Sequence, residues 1–237
     1  SKEFEQNPEK ISMLKDFDGI IIPGGFGSSG VEGKIKTIQF CRENKIPYLG
    51  LCYGLHLAVI EFARNVCGLK NANTTEICKD TDCAVIDILP WQKELLEKEK
   101  YGATMRLGAY AAKLEEESLV YELYAKFKQG NENNLKKQIG KTPTPHIFER
   151  HRHRYEVNPS FHELLQEKGL IFSGYHISDE GAKLVEFIEL PKEVHPFFVA
   201  TQAHPEFKSS FESPAPVFMG LLLASLDKKE EKSNENP

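Results

Sequence analysis

A cysteine stands between a short apolar run and a helix-like segment, with glycines two residues before and two residues after it. Gly50, Cys52 and Gly54 give the pattern Gly-x-Cys-x-Gly within "GLCYGLHLAVIEFARN". Between a strand and a helix, this pattern predicts a nucleophile elbow, a tight and strained turn that projects the central side chain. The helix start behind Cys52 favours thiolate, and the N–H of Tyr53 is placed to stabilise an oxyanion. A small buried cysteine at a tight turn is the alternative interpretation.

A cysteine nucleophile needs a base, and the segment "FFVATQAHPEF" contains a candidate. His204 follows an apolar strand, Pro205 prevents the strand from continuing, and Glu206 comes next. Glu206 is placed to hold the imidazole in the tautomer that accepts the thiol proton. The alternative is a histidine at a strand end beside an exposed glutamate. We therefore expect Cys52, His204 and Glu206 to form a catalytic triad.

The loop "PGGFGSSG" at residues 23–30 contains four glycines and can expose several backbone N–H groups. A phosphate-binding loop must be considered, but no Gly-Lys-Ser/Thr follows, and Gly-x-Gly-x-x-Gly is not in its usual place. A row of N–H donors facing an acyl oxyanion fits better beside a thiol.

The elements that must position these residues alternate between strand and helix. Residues 19–22 predict a buried strand, 31–44 a helix, 45–51 a strand and 53–66 a helix. This order indicates an α/β fold, a doubly wound and mostly parallel sheet flanked by helices, of flavodoxin-like type. Residues 91–100 predict a surface helix or loop, and 129–142 a polar surface excursion. Further strands are expected near 83–89, 103–114, 147–157, 170–177, 183–190 and 197–203, and helices at 119–127, 161–168 and 216–226.

Composition limits the class of protein, its cellular compartment and its division into domains. The 237 residues are 40% hydrophobic and 27% charged with a net charge of −5, which is typical of a globular protein and argues against nucleic-acid binding. There is no apolar run of about 18 residues, so no membrane span is expected. Five cysteines without framework spacing, and a polar N-terminus, indicate a reduced, cytoplasmic protein without a metal site. We divide the chain into a polar lead-in (1–18), one domain (19–226) and a disordered charged tail (227–237).

The combined motifs resemble class I, triad-type glutamine amidotransferases. The segments "GGFGSSGVEGKI", "LAVIEFARNV", "NANTTEI", "ATMRLGAY", "ERHRHRYEVNP" and "HPEF" are similar to the glutaminase domains of the CTP synthase family. The likeness runs from about residue 19 to residue 226. It implies that Cys52 attacks the side-chain amide of L-glutamine, that His204 acts as base, and that Glu206 orients His204. The resemblance also implies a set of substrate-binding residues, namely Gly25, Phe26, Tyr53, Gly54, Leu55, His56, Glu76 and Arg154.

The resemblance further implies partners outside this sequence. In the family, ammonia passes to a synthase domain that uses ATP, Mg²⁺ and UTP to make CTP, with GTP as allosteric activator and a homotetrameric assembly. The glutaminase domain itself needs no cofactor. That synthase half, and a strand–helix–strand opening before residue 19, are absent from this sequence, so the first strand is expected at an edge of the sheet.

Three positions depart from the family pattern. His56 stands where the family usually has glutamine, and Ser29 where it commonly has arginine. Tyr53 replaces the usual leucine, with little effect expected because its backbone N–H carries the role. Two other functions stay open: a γ-glutamyl hydrolase or peptidase of the same fold, and a non-catalytic regulatory module. A measurement of ammonia release from glutamine distinguishes these two functions from a glutaminase of CTP synthase type.

Overall fold

The computed structural model describes residues 1–90, 92, 105–127 and 146–235. Within these residues, a central sheet is built from seven strands, and three short strands form a second sheet. The strands are β1 (Ile20–Ile22), β2 (Tyr48–Leu51), β3 (Asn73–Thr74), β4 (Ala84–Asp87), β5 (Arg106–Leu114), β6 (His146–His153), β7 (Glu156–Val157), β8 (Ile171–Ile177), β9 (Lys183–Glu189) and β10 (Phe198–Thr201). The helices are α1 (Lys2–Gln6), α2 (Val31–Glu43), α3 (Tyr53–Asn65), α4 (Leu119–Phe127), α5 (His162–Glu167) and α6 (Pro216–Glu235).

The strand order in the central sheet is β1-β2-β10-β9-β8-β5-β6. Strands β1, β2 and β10 are parallel, whereas the pairs β10–β9, β9–β8, β8–β5 and β5–β6 are antiparallel. The α/β sheet with flanking helices is confirmed, but the expectation of a mostly parallel sheet is wrong. Within the described part of the central sheet, parallel pairing is confined to β1, β2 and β10, the three strands that carry the candidate site. The small sheet adds one parallel pair, β3 with β4. As expected, β1 lies at an edge, pairing within the described residues with β2 alone.

Helices cover both faces of the sheet. On one face, α2 and α3 contribute to a core with Ile38, Leu57 and Phe198 at its centre. On the other face, α4 and α6 pack over a second core that contains Leu49 and Val199. Because β2 and β10 are buried on both sides, their sequences are continuous apolar runs rather than alternating ones.

The charged tail differs from the expectation of disorder. Helix α6 continues through residues 227–235 to Glu235. The Lys232 ammonium donates to the carbonyls of Lys15 and Phe17 and lies 2.7 Å from Oδ1 of Asp18. Composition alone missed these contacts, because the partners lie more than 200 residues away along the chain. The lead-in is also ordered, and its Leu14 is buried in the first core.

The expectations for residues 91–100 and 129–142 fall outside the described residues, apart from residue 92. Within the part of the chain that the structure describes, every helix is too short or too polar to cross a membrane.

Candidate active site

The turn at Cys52 has the strained backbone expected of a nucleophile elbow. Cys52 lies between β2 and α3 with φ of 48° and ψ of −97°. A Cβ added to Gly54 would lie 2.3 Å from the carbonyl oxygen of Ile22, and one added to Gly50 would lie 2.8 Å from the carbonyl carbon of Gly54. Glycine at both positions therefore allows α3 to approach the ends of β1 and β2 closely.

His204 lies just beyond the end of β10, the strand that pairs with β2, and so reaches the same edge of the sheet. Its Nδ1 is 2.6 Å from Oε1 of Glu206, and its ring stacks on Phe207 with centroids 4.7 Å apart. A Cβ added to Gly24 would lie 2.8 Å from Cε1 of His204 and 3.8 Å from Cβ of Cys52. The imidazole and the thiol side chain thus flank a single glycine, and Glu206 holds the imidazole from behind.

The environment of Cys52 differs from the expected thiolate. Burial raises the pKa of the Cys52 thiol to about 12, and the Tyr53 backbone N–H acts in the opposite direction. The carboxylates of Glu206, Glu156 and Glu76 raise this pKa further. The thiol form is therefore favoured at neutral pH, and Cys52 would need a base to remove its proton before it could act as a nucleophile.

The glycine-rich loop is fixed by two contacts across the site. The Tyr53 hydroxyl donates to the Gly27 carbonyl at 2.5 Å, and the Gly27 N–H donates to Oε1 of Glu76 at 2.9 Å. Gly27 has φ of 74°, in the left-handed region that glycine adopts without strain. Tyr53 and Glu76 thereby hold the loop over the start of α3.

A cavity of about 500 Å³ opens above the thiol. Six of the eight expected substrate-binding residues line it, together with two members of the expected triad: Gly25, Phe26, Tyr53, His56, Glu76, Arg154, Cys52 and His204. Gly54 and Leu55 are not among its lining residues, because Gly54 packs against β1 and Leu55 is fully buried in the core. Sequence reasoning did not select five other lining residues, namely Met105, Arg152, His153, Tyr155 and Phe207.

Two of the missed residues carried a signal in the sequence. Arg152 precedes Arg154 by two positions, the spacing of one strand face. Phe207 follows Glu206 directly, and its ring covers His204. The cavity therefore combines the Glu76 carboxylate with two guanidinium groups, a pairing suited to a ligand that carries both an ammonium and a carboxylate.

His56 lies at the base of the cavity and is 2% exposed. Its Nε2 is 2.8 Å from Oε1 of Gln202, and the Gln202 amide nitrogen lies 3.8 Å from Sγ of Cys52. Sequence reasoning missed Gln202, although it stands two residues before His204 in the segment that follows β10. Its closeness to His204 in the sequence was the available signal.

A buried ionic cluster lies beside the cavity. The Arg106 guanidinium is 3.2 Å from Glu156 and 2.6 Å from Glu186, and His153 is 2.8 Å from Glu156. Burial raises the pKa of Glu186 to about 7, with the charge of Arg106 acting against it. For Glu156, His153 and Arg106 outweigh burial and lower the pKa to about 2. His153, the member of the cluster that lines the cavity, connects it to the site.

The sequence and the fold match a known protein family. The family model described as glutamine amidotransferase class-I matches residues 2–224. The chain therefore belongs to the class-I glutamine amidotransferase family.

Individual relatives narrow this assignment. The chain is 50% identical over 229 residues to a CTP synthase of Methanocaldococcus jannaschii, and 46% identical over 236 residues to one of Pyrococcus horikoshii. These alignments cover 97% and 100% of this chain but 38% and 39% of the relatives. The solved glutaminase domain of Trypanosoma brucei CTPS, with bound acivicin, superposes with a TM-score of 0.79 at 35% identity, covering 95% of this chain and 78% of that one. This similarity places the chain among CTP synthase glutaminase domains. The chain spans less than half the length of the two CTP synthases named above.

Proposed function

We propose that this chain hydrolyses L-glutamine through a thioester on Cys52. His204 takes the thiol proton as the sulfur attacks the side-chain amide carbon, and the same proton then goes to the departing ammonia. Water hydrolyses the thioester and releases glutamate, so that glutamine and water become glutamate and ammonia. The 2.6 Å contact between His204 and Glu206 beside the strained cysteine carries this proposal.

The site's charges support glutamine as the substrate. Its ammonium would face Glu76 and its carboxylate Arg154, both of which line the cavity. The backbone N–H groups of Gly25 and Tyr53 would face the developing oxyanion. Phe26, which is exposed at the mouth of the cavity, would close over the bound substrate.

For the whole protein, we propose that the ammonia serves a CTP synthase reaction. A synthase domain would use ATP, Mg²⁺ and UTP, with GTP as activator and a homotetrameric assembly. The match to about two fifths of the archaeal relatives supports such a partner domain. A free thiol at Cys52 is best preserved in a reducing compartment, which supports a cytoplasmic location.

Ammonia release from glutamine tests the first proposal. The chain, alone and mixed with a separately produced synthase domain, should release ammonia, and Cys52→Ala should abolish the release. Cys41→Ala is a matched control, because Cys41 is buried away from the cavity. Activity confined to γ-glutamyl peptides would favour a hydrolase, and complete inactivity under both conditions would favour a regulatory module.

A further inference from the structure

A buried chain of polar groups runs from α3 to the nucleophile through the end of β10. We propose that His56 and Gln202 are positioning residues, in which His56 orients the Gln202 amide so that its N–H groups face the Cys52 sulfur. This proposal rests on the proposed function, because it assigns both residues to the activation of that thiol rather than to glutamine binding.

The backbone fixes the Gln202 side chain in place. The Gln202 N–H donates to the carbonyl of Glu186 at 2.9 Å, and the Cys52 N–H donates to the carbonyl of Thr201 at 2.7 Å. Gln202 itself is fully buried. The terminal amide group of Gln202 can therefore rotate about the bond that attaches it, but it must remain next to Cys52.

His56 decides which end of that amide faces the sulfur. Burial lowers the pKa of His56 to about 4, so the ring is neutral at pH 7. A neutral ring that carries its proton on Nε2 donates to Oε1 of Gln202 at 2.8 Å. The Gln202 NH₂ group then points to Sγ of Cys52, at 3.8 Å.

The charges around Cys52 make such a donor useful. Glu206, Glu156 and Glu76 all disfavour the thiolate, as does burial. Against these, the described residues place two N–H donors at the sulfur, from the Tyr53 backbone and the Gln202 side chain. A hydrogen bond to a charged group is worth more than one to a neutral group, so the Gln202 donor favours the thiolate over the thiol.

Alkylation of Cys52 by iodoacetamide, followed against pH by peptide mass spectrometry, measures this effect without glutamine. Cys78 is exposed and provides an internal standard in each sample. Gln202→Met keeps the volume but has no N–H, and His56→Phe keeps the ring but cannot donate. At pH 8 we expect Cys52 to react about tenfold more slowly in both variants, the scale of one hydrogen bond to a charged group. His56→Gln, which retains an amide donor, should restore most of the rate.

Three results would overturn the proposal. Wild-type alkylation rates in folded Gln202→Met or His56→Phe would show that the amide does not act on the sulfur. Faster alkylation would show that the Gln202 oxygen, not its nitrogen, faces the thiol. In active protein, we also expect kcat to fall with KM unchanged, and a rise in KM alone would make His56 a glutamine contact instead. A chain that releases no ammonia contradicts the proposed function, while the alkylation rates still decide this inference.

Discussion

Gly54→Ala tests whether close packing of α3 against β1 sets the position of the nucleophile. The added methyl would lie 2.3 Å from the carbonyl oxygen of Ile22, which is roughly 1 Å closer than ordinary contact. Both groups belong to backbone in regular elements, so neither can rotate away. The first turn of α3 must therefore move away from β1, and Cys52 must move with it.

The magnitude follows from two opposing effects. Overpacking of this kind destabilises by about 1–3 kcal/mol, whereas alanine in place of glycine in a helix stabilises by at most about 1 kcal/mol. We expect a net loss of about 1–2 kcal/mol in the free energy of unfolding. A displacement of the sulfur by about 1 Å should lower kcat/KM for glutamine by roughly 100-fold.

Urea unfolding and ammonia release together measure this prediction. Gly25→Ala is the matched control for stability, because its Cβ would meet only Tyr53 at 3.6 Å, an ordinary contact. We expect Gly25→Ala to unfold at nearly the wild-type urea concentration. A Gly54→Ala variant with wild-type stability and wild-type activity would refute the claim that the elbow depends on this approach.

Three further predictions concern the charges around the site. Glu206→Gln should lower kcat/KM for glutamine by about 10- to 100-fold, because the imidazole of His204 loses a charge-assisted hydrogen bond. Arg106→Met should lower the free energy of unfolding by about 3–5 kcal/mol, since it leaves two buried carboxylates without their cation. Burial lowers the pKa of His195 to about 4, below its usual value of 6.5. Stability from this group is therefore full above pH 6.5 and is lost as the pH falls toward 4, where the unfolded chain binds a proton that the folded chain does not. In His195→Gln, the slope of the unfolding free energy against pH should be smaller by about 1.4 kcal/mol per pH unit within this range.

Each of these has a control and a contradicting result. Glu212 is exposed, so Glu212→Gln should keep full activity, and equal activity in Glu206→Gln would remove Glu206 from the proposed triad. Lys10 forms an ion pair with exposed Glu3, so Lys10→Met should change urea unfolding little, and an equally small effect of Arg106→Met would contradict the buried network. An unchanged pH slope in His195→Gln would show that His195 does not stay neutral in the folded protein.

The direction of pairing could be predicted from the sequence for some strands but not for others. The three parallel strands were predictable, because each is an apolar run followed by a loop that leads into a helix or a chemical motif. The hairpin of β8 and β9 could also have been inferred from the short turn at residues 178–182, since parallel strands need a longer crossover. The pairing of β5 with β6 could not, because over 30 residues separate them and either direction satisfies the pattern.

The sequence by itself predicted the tight turn at Cys52 and the pairing of His204 with Glu206. Gly50, Cys52 and Gly54 act through steric contacts at fixed spacing, and His204 and Glu206 are separated by a single proline, so local chain geometry suffices for each motif. Only the tertiary structure decided how Cys52 is protonated and that Gln202, 150 residues away, lies against it. The physical reason is that burial and hydrogen bonding sum over every element that surrounds a group, and those elements come from distant parts of the chain.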